Sequence, residues 1–251
     1  MSGHSKWATT KHKKGALDKA RGKLFAKIIR QVEVAAREGG GDLEGNPTLR
    51  TMYQKARDSS VPMETIERAI KRGTGELEGV RYEPVVYEGY APLGVAVIVE
   101  CLTDNRNRTG ADIRAIFSKN GGSMAEPGAV SWQFERKGIV TLPHDGKFSE
   151  DDLVLVAADA GADDVRDNGD SWEIVTPPRE LAAVRSAVEA KGWPTSSSEL
   201  TMYPSQSVSI ASENDARKVL RLMDLLDDQD DVQNVYANFD IPDSVMELVE
   251  V

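Results

Sequence analysis

A single cysteine, Cys101, stands in 251 residues. This excludes an internal disulfide and any zinc site built on paired cysteines. Histidine is almost as scarce. His4, His12 and His144 are too scattered to suggest a metal site or a catalytic dyad. Aromatic residues make up only 6% of the chain, so the cores are expected to be aliphatic. No apolar run approaches the roughly 20 residues that a membrane-spanning helix requires. The charged N-terminus has no apolar segment behind it, so a secretory signal is not expected. It shares the acid-poor composition of organellar transit peptides. Lysine outnumbers arginine there, however, and the helical pattern runs straight on, so the expectation is a cytoplasmic protein. The glycines of 73–79 miss the phosphate-binding G-x-G-x-x-G spacing, and no Lys-Ser/Thr follows them. No paired carboxylates, Ser-His-Asp set or metal-ligand cluster stands out. The reading is therefore of a protein with no catalytic residue, no metal, no cofactor and no small-molecule substrate.

What is present is charge, unevenly placed. The chain carries 31 Lys and Arg against 41 Asp and Glu. Residues 1–75 hold 16 of those basic residues and only 8 of the acidic ones. The first thirty are denser still: Lys6, Lys11, Lys13, Lys14, Lys19, Arg21, Lys23, Lys27 and Arg30 face one acid, Asp18. A basic end on an acidic chain points to a polyanionic partner, usually nucleic acid. Lys and Arg would neutralise phosphates and release counterions. Trp7 could stack on a splayed base, which single-stranded or looped RNA offers more readily than duplex DNA. His12 belongs with the same segment.

Length beyond one typical domain predicts two or three. Residues 1–15 lack apolar periodicity and read as a basic mobile arm. From residue 16 the pattern is helical, with Leu17, Leu24, Phe25, Ile28, Val32 and Ala35 on one face. Lys19, Lys23, Lys27 and Arg30 fall opposite, within an arc of roughly 80° at about 100° per residue. They predict a cationic ridge. Asn46-Pro47 starts a second helix. A third runs from Pro62 to Gly73 and carries Arg68, Lys71 and Arg72. Residues 16–78 thus form a helical, nucleic-acid-binding head.

Beyond it, Val95, Val97 and Val99 alternate with Ala96 and Ile98, so both faces of a central strand are apolar. Thr109-x-x-Asp112 predicts a helix start, and Val130, Trp132 and Phe134 a half-buried strand. Residues 137–204 read as β-α-β-β-α-β around an Asn168-Gly169 turn, a ferredoxin-like unit. A further helix and strand follow in 205–251. Neither 79–136 nor 205–251 covers a sheet alone, so the two are expected to combine, with 137–204 inserted. The fold class is α+β: a three-helix bundle followed by two ferredoxin-like domains, one inserted in the other.

Two local features invite function. The loop Thr103-Asp-Asn-Arg-Asn-Arg-Thr109 joins a buried strand to a helix N-terminus, a natural place for an anion. Arg106 and Arg108 could reach phosphate there, and Asn105 and Asn107 could bond bases. The other reading is a polar turn that satisfies its own backbone. Asp224, Asp227, Asp228, Asp230 and Asp231 crowd a helix end where the dipole disfavours them. They are expected to form a solvated acidic face.

The sequence resembles the YebC/PmpR family nearly end to end. The matching stretches are residues 3–14 (GHSKWATTKHKK), 87–90 (YEGY), 100–109 (ECLTDNRNRT), 120–122 (NGG) and 235–241 (VYANFDI). The resemblance implies a helical N-terminal domain, two ferredoxin-like domains, a cytoplasmic location and no enzymatic activity. Bacterial members are commonly described as DNA-binding transcriptional regulators. Relatives include a mitochondrial translational activator of cytochrome c oxidase, and some bacterial members are described as ribosome-associated factors that relieve stalling at proline runs. The implied partner is therefore DNA, or ribosomal RNA and the ribosome, and no membrane.

Overall fold

The computed structural model describes residues 17–169 and 171–249, with side chains from residue 22 onward except residue 243. The expected arm, with Lys6, Trp7, Lys11, His12, Lys13 and Lys14, lies outside the described residues, as does the side chain of Lys19.

Three helices open the described chain: α1 (Leu17–Gly39), α2 (Pro47–Asp58) and α3 (Met63–Thr74). Asn46 sets the corner between the first two. Its side-chain oxygen accepts from the Leu49 amide at 3.0 Å and so caps α2. Its Nδ2 donates to the carbonyls of Ala35 and Gly40, both at 2.8 Å, and so holds the end of α1. Pro47 costs nothing at the first helical position, where its missing N–H has no partner to lose. Ile28, Val32, Leu49 and Ile66 fill the core between the helices. The third helix runs past Gly73 to Thr74, and Gly75 at φ +84° caps it. Gly73 lies inside that helix for another reason. A Cβ there would stand 2.4 Å from the Glu33 carbonyl oxygen and 2.7 Å from Ala36 Cβ, so only glycine permits this approach of α3 to α1.

The first sheet has strand order β3-β1-β2-β9, all antiparallel. Its strands are β1 (Glu83–Tyr90), β2 (Ala96–Thr103), β3 (Ser123–Ala125) and, much later, β9 (Val232–Ala237). Two helices, α4 (Arg106–Lys119) and α7 (Glu213–Asp227), cover one face. There Val97, Val99 and Cys101 pack with Ile113, Phe117, Val219 and Met223. Ala96 and Ile98 point the other way, into a second cluster with Val130 and Phe134. This is why β2 reads as apolar on both faces.

The second sheet is formed by β4 (Phe134–Pro143), β5 (Asp164–Asp167), β6 (Ser171–Thr176) and β7 (Ser197–Pro204). Its order is β5-β6-β4-β7, every pair antiparallel. With α5 (Glu150–Asp159) and α6 (Leu181–Ala190) between strands, this is the split β-α-β arrangement. Ser149 caps α5 by accepting from the Asp152 amide, and Gly169 takes φ +86° in the β5–β6 turn. The unit enters through β4 and leaves through β7, which are paired from Phe134↔Pro204 to Thr141↔Ser197. Its two ends therefore lie side by side, tied further by the Ser205 amide to the Gln133 carbonyl at 2.8 Å. Such an insertion leaves the host sheet undisturbed. Short strands β8 (Val208–Ser209) and β10 (Phe239–Asp240) pair in parallel, and α8 (Asp243–Val249) packs on α7.

Two expected elements differ. The helix after β2 starts at Arg106 and not at Thr109, because Asn105 captures the Arg108 amide at 3.0 Å and caps it first. The strand expected over Val130, Trp132 and Phe134 is a 3-10 turn at Ser131–Gln133, and the strand proper begins at Phe134. Glu88 causes this. Its carboxylate collects the amides of Gly128 and Val130 at 2.7 Å and Ser131 at 2.9 Å, removing them from any ladder. Trp132 is left 74% exposed, with its Nε1 donating to the Ala129 carbonyl.

Candidate nucleic-acid interface

Of the expected ridge, Lys23, Lys27 and Arg30 lie on one side of α1, and all three are occupied. Lys23 Nζ reaches Asp228, bonding the carbonyl at 3.0 Å and Oδ1 at 2.8 Å. Lys27 Nζ reaches Asp227 in the same double manner, at 2.8 Å and 3.0 Å. Arg30 Nη1 donates to the Asp230 carbonyl at 2.6 Å and to Asp231 Oδ1 at 3.1 Å. Its guanidinium also lies 5.1 Å from the centre of the Tyr82 ring. Asp224, Asp228 and Asp230 keep the exposure expected of a solvated face, but Asp227 is half-buried and Asp231 buried, and the row from Asp227 to Asp231 meets the cations of α1. Carboxylates beside the negative pole of a helix are destabilising alone. Here three cations from another element answer both the pole and the carboxylates.

Asp231 is the centre of this arrangement and is only 3% exposed. Its Oδ2 accepts from Arg108 Nη2 at 2.9 Å, Thr109 Oγ1 at 2.7 Å and Thr103 Oγ1 at 3.3 Å. Its carbonyl accepts from the Leu102 amide at 2.8 Å. Burial pushes the Asp231 carboxyl up. The Thr109 hydroxyl, the Arg108 hydrogen bond and the charges of Arg108 and Arg30 outweigh it and hold the group below the usual carboxylate range. The neighbouring Cys101 thiol moves oppositely: burial and then the Asp231 charge push it up to about 12. Cys101 is thus a small core residue with almost no thiolate at neutral pH.

The loop before α4 divides. Asn105 is the helix cap, and Arg108 is held by Asp104 at 2.7 Å as well as by Asp231. For these two the self-satisfying turn describes the geometry. Arg106 and Asn107 are exposed, and the Arg106 carbonyl accepts from Tyr87 Oη at 3.0 Å. In α3, Arg68 and Lys71 are exposed, while Arg72 bonds the buried carboxylate of Glu33 at 2.9 Å. The structure thus gathers the ridge, the 103–109 loop and the acidic stretch into one joint. Sequence reasoning missed Thr103, Tyr82 and the buried position of Asp231. The available signal was the acidic helix end itself, whose charge has the wrong sign for its place and so implies a cationic partner.

Among the described residues no helix is long and apolar enough to cross a membrane. Two family models match the chain. The TACO1/YebC N-terminal domain covers residues 5–76, and the TACO1/YebC second and third domain covers residues 82–239. A "Probable transcriptional regulatory protein" of Nocardia farcinica is 57% identical over 247 residues, covering 98% of each chain. One from Thermobifida fusca is 56% identical with the same coverage. The crystal structure of a conserved hypothetical protein from Aquifex aeolicus superposes with a TM-score of 0.80 at 47% identity, covering 90% of this chain and 93% of that one. The helical head and the two sheets are together the architecture of this group, and the chain belongs to the TACO1/YebC family.

Proposed function

We propose that this protein is a non-enzymatic, cytoplasmic regulator of gene expression that binds nucleic acid through its basic N-terminal region. The observation that carries this reading is the charge distribution. Nine basic residues face one acid in residues 1–30 of a chain whose formal net charge is -10. The acidic remainder repels a polyanion and leaves the N-terminal end as the approach. Lys6, Lys11, Lys13 and Lys14 supply phosphate contacts, Trp7 and His12 base stacking and bonding, and the ridge a second row of cations. The names of the relatives support regulation of transcription, and in this reading the ligand is DNA.

A second reading, an RNA- or ribosome-associated factor acting in translation, is favoured by a specific observation. A sequence reader of duplex DNA places several side chains on base edges. The exposed basic residues of α3 are Arg68 and Lys71, Arg72 is committed to Glu33, and the helix has no Asn or Gln. Footprinting and ribosome cosedimentation separate the readings. A preferred promoter site over random duplex supports transcription. Cosedimentation at moderate salt without such a site supports translation. Neither behaviour at low salt would sink both.

A further inference from the structure

The joint between α1 and the end of α7 is charge on charge. The apolar core of the head, from Phe25 to Ile70, and the core beneath the first sheet share no residue. The cations of α1 sit at positions i, i+4 and i+7, on one side of the helix. Facing them is a row of negative oxygens, carbonyl and carboxylate, at Asp227, Asp228, Asp230 and Asp231. A phosphodiester backbone presents a similar row. The Lys23–Asp228 pair is exposed and screened by salt, and the more covered pairs Lys27–Asp227 and Arg30–Asp231 gain little net of the desolvation they cost. A polyanion that replaces several at once gains from counterion release.

Leaving the joint does not orphan its buried member. When Arg30 withdraws, Asp231 keeps Arg108, Thr109 and Thr103. Asp228 is already largely exposed. The body therefore tolerates the departure of α1 without an unpaired buried charge, the usual obstacle to opening such a joint.

We propose that the acidic end of α7 occupies, in the free protein, the surface of α1 that takes a phosphodiester backbone, so that nucleic acid and head-to-body docking compete for Lys23, Lys27 and Arg30. This rests on the nucleic-acid reading above and specifies how that site is regulated. Small anions meet one cation at a time and do not open the joint. A strand long enough to meet all three does, and the head then swings on the segment between α3 and β1.

The test compares three full-length proteins: the wild type, the triple variant Asp227→Asn, Asp228→Asn, Asp230→Asn, and a control. The control, Asp112→Asn, Glu126→Gln, Asp159→Asn, removes the same charge from exposed positions elsewhere. Binding to a labelled duplex DNA and a labelled single-stranded RNA is read by anisotropy, and particle dimensions by small-angle scattering. The triple variant is expected to bind about tenfold tighter than both other proteins, from two released ion pairs, Lys23–Asp228 and Lys27–Asp227, and the loss of the Asp230 charge beside Arg30. It is also expected to scatter as a larger particle, as the wild type does once the oligonucleotide is added. The stronger of the two ligands identifies whether DNA or RNA is the source of the phosphates. Equal affinity of all three proteins, or a wild-type complex no larger than free protein plus ligand in docked form, overturns the competition alone. Absence of binding by every protein overturns the nucleic-acid reading and the competition with it.

Discussion

Arg30 of the first helix and Asp231 at the start of the last long strand meet at 3.1 Å, about two hundred residues apart in sequence. The same carboxylate holds Arg108 at 2.9 Å through its other oxygen. One buried acid thereby ties the helical head, the β2–α4 loop and the β9 edge of the first sheet. Replacing it with alanine takes one partner from each of the Thr103 and Thr109 hydroxyls and from the Arg30 and Arg108 guanidinium groups. The expected decrease in stability, read by chemical denaturation, is about 3 kcal/mol, the lower end for breaking a buried pair because both arginines are partly exposed. A decrease below about 1 kcal/mol would place Asp231 among ordinary surface ion pairs.

The acid limb of stability follows from the same group. Asp231 and Glu88 both titrate below their ordinary values. For Glu88, burial pushes upward and the amides of Gly128, Val130 and Ser131 prevail. A carboxylate depressed in the folded state stabilises fully above its unfolded pKa, near 4, and loses that contribution as pH falls through the folded value. Stability should therefore decline below about pH 4. In Asp231→Asn the decline should be shallower, since one titrating group is gone. A variant with an unchanged acid limb would show that Asp231 is not depressed in the folded state.

Glu88→Gln tests the turn that displays Trp132. An amide has one accepting oxygen where the carboxylate has two, and its NH2 confronts amides that also donate. The expected cost is about 2 kcal/mol. Amide exchange at Gly128, Val130 and Ser131 should accelerate while the β4–β7 ladder stays protected. Equal protection in both proteins would mean that the backbone holds the turn unaided.

Gly73→Ala sets two effects against each other. Alanine favours a helix interior by up to about 1 kcal/mol over glycine. Its Cβ, however, would stand 2.4 Å from the Glu33 carbonyl oxygen, a backbone atom that cannot swing away. Overpacking of this kind costs about 1–3 kcal/mol, so the variant should be less stable, and a stabilised variant would mean that α3 shifts freely on α1.

Much of this fold is legible in the sequence, and apart from the local Asn105 cap the exceptions share one cause. Asn46-Pro47, Ser149 and Asn168-Gly169 act locally, on backbone groups a few residues away, and so announce themselves. The double apolar alternation of β2 foretells a strand covered on both faces. The features that pattern reading misses depend on partners distant in sequence. Val130 to Phe134 alternates like a strand, yet Glu88, about forty residues earlier, takes its amides. Thr109 looks like a cap, yet it serves Asp231 from inside the helix. The ridge and the acidic helix end each look solvent-facing when taken alone. Opposite charge on two elements does not disclose in sequence that the elements meet.

Binding of nucleic acid by the basic N-terminal region is tested most directly by its salt dependence. Lys11→Ala, Lys13→Ala and Lys14→Ala are combined in the full chain, and affinity for a short duplex is measured across a salt series beside the wild type. The triple variant is predicted to bind more weakly, and its plot of log affinity against log salt to flatten by up to about 0.9 for each phosphate it no longer neutralises. A variant that binds as tightly, with the wild-type slope, would contradict the basic N-terminal region as the binding surface.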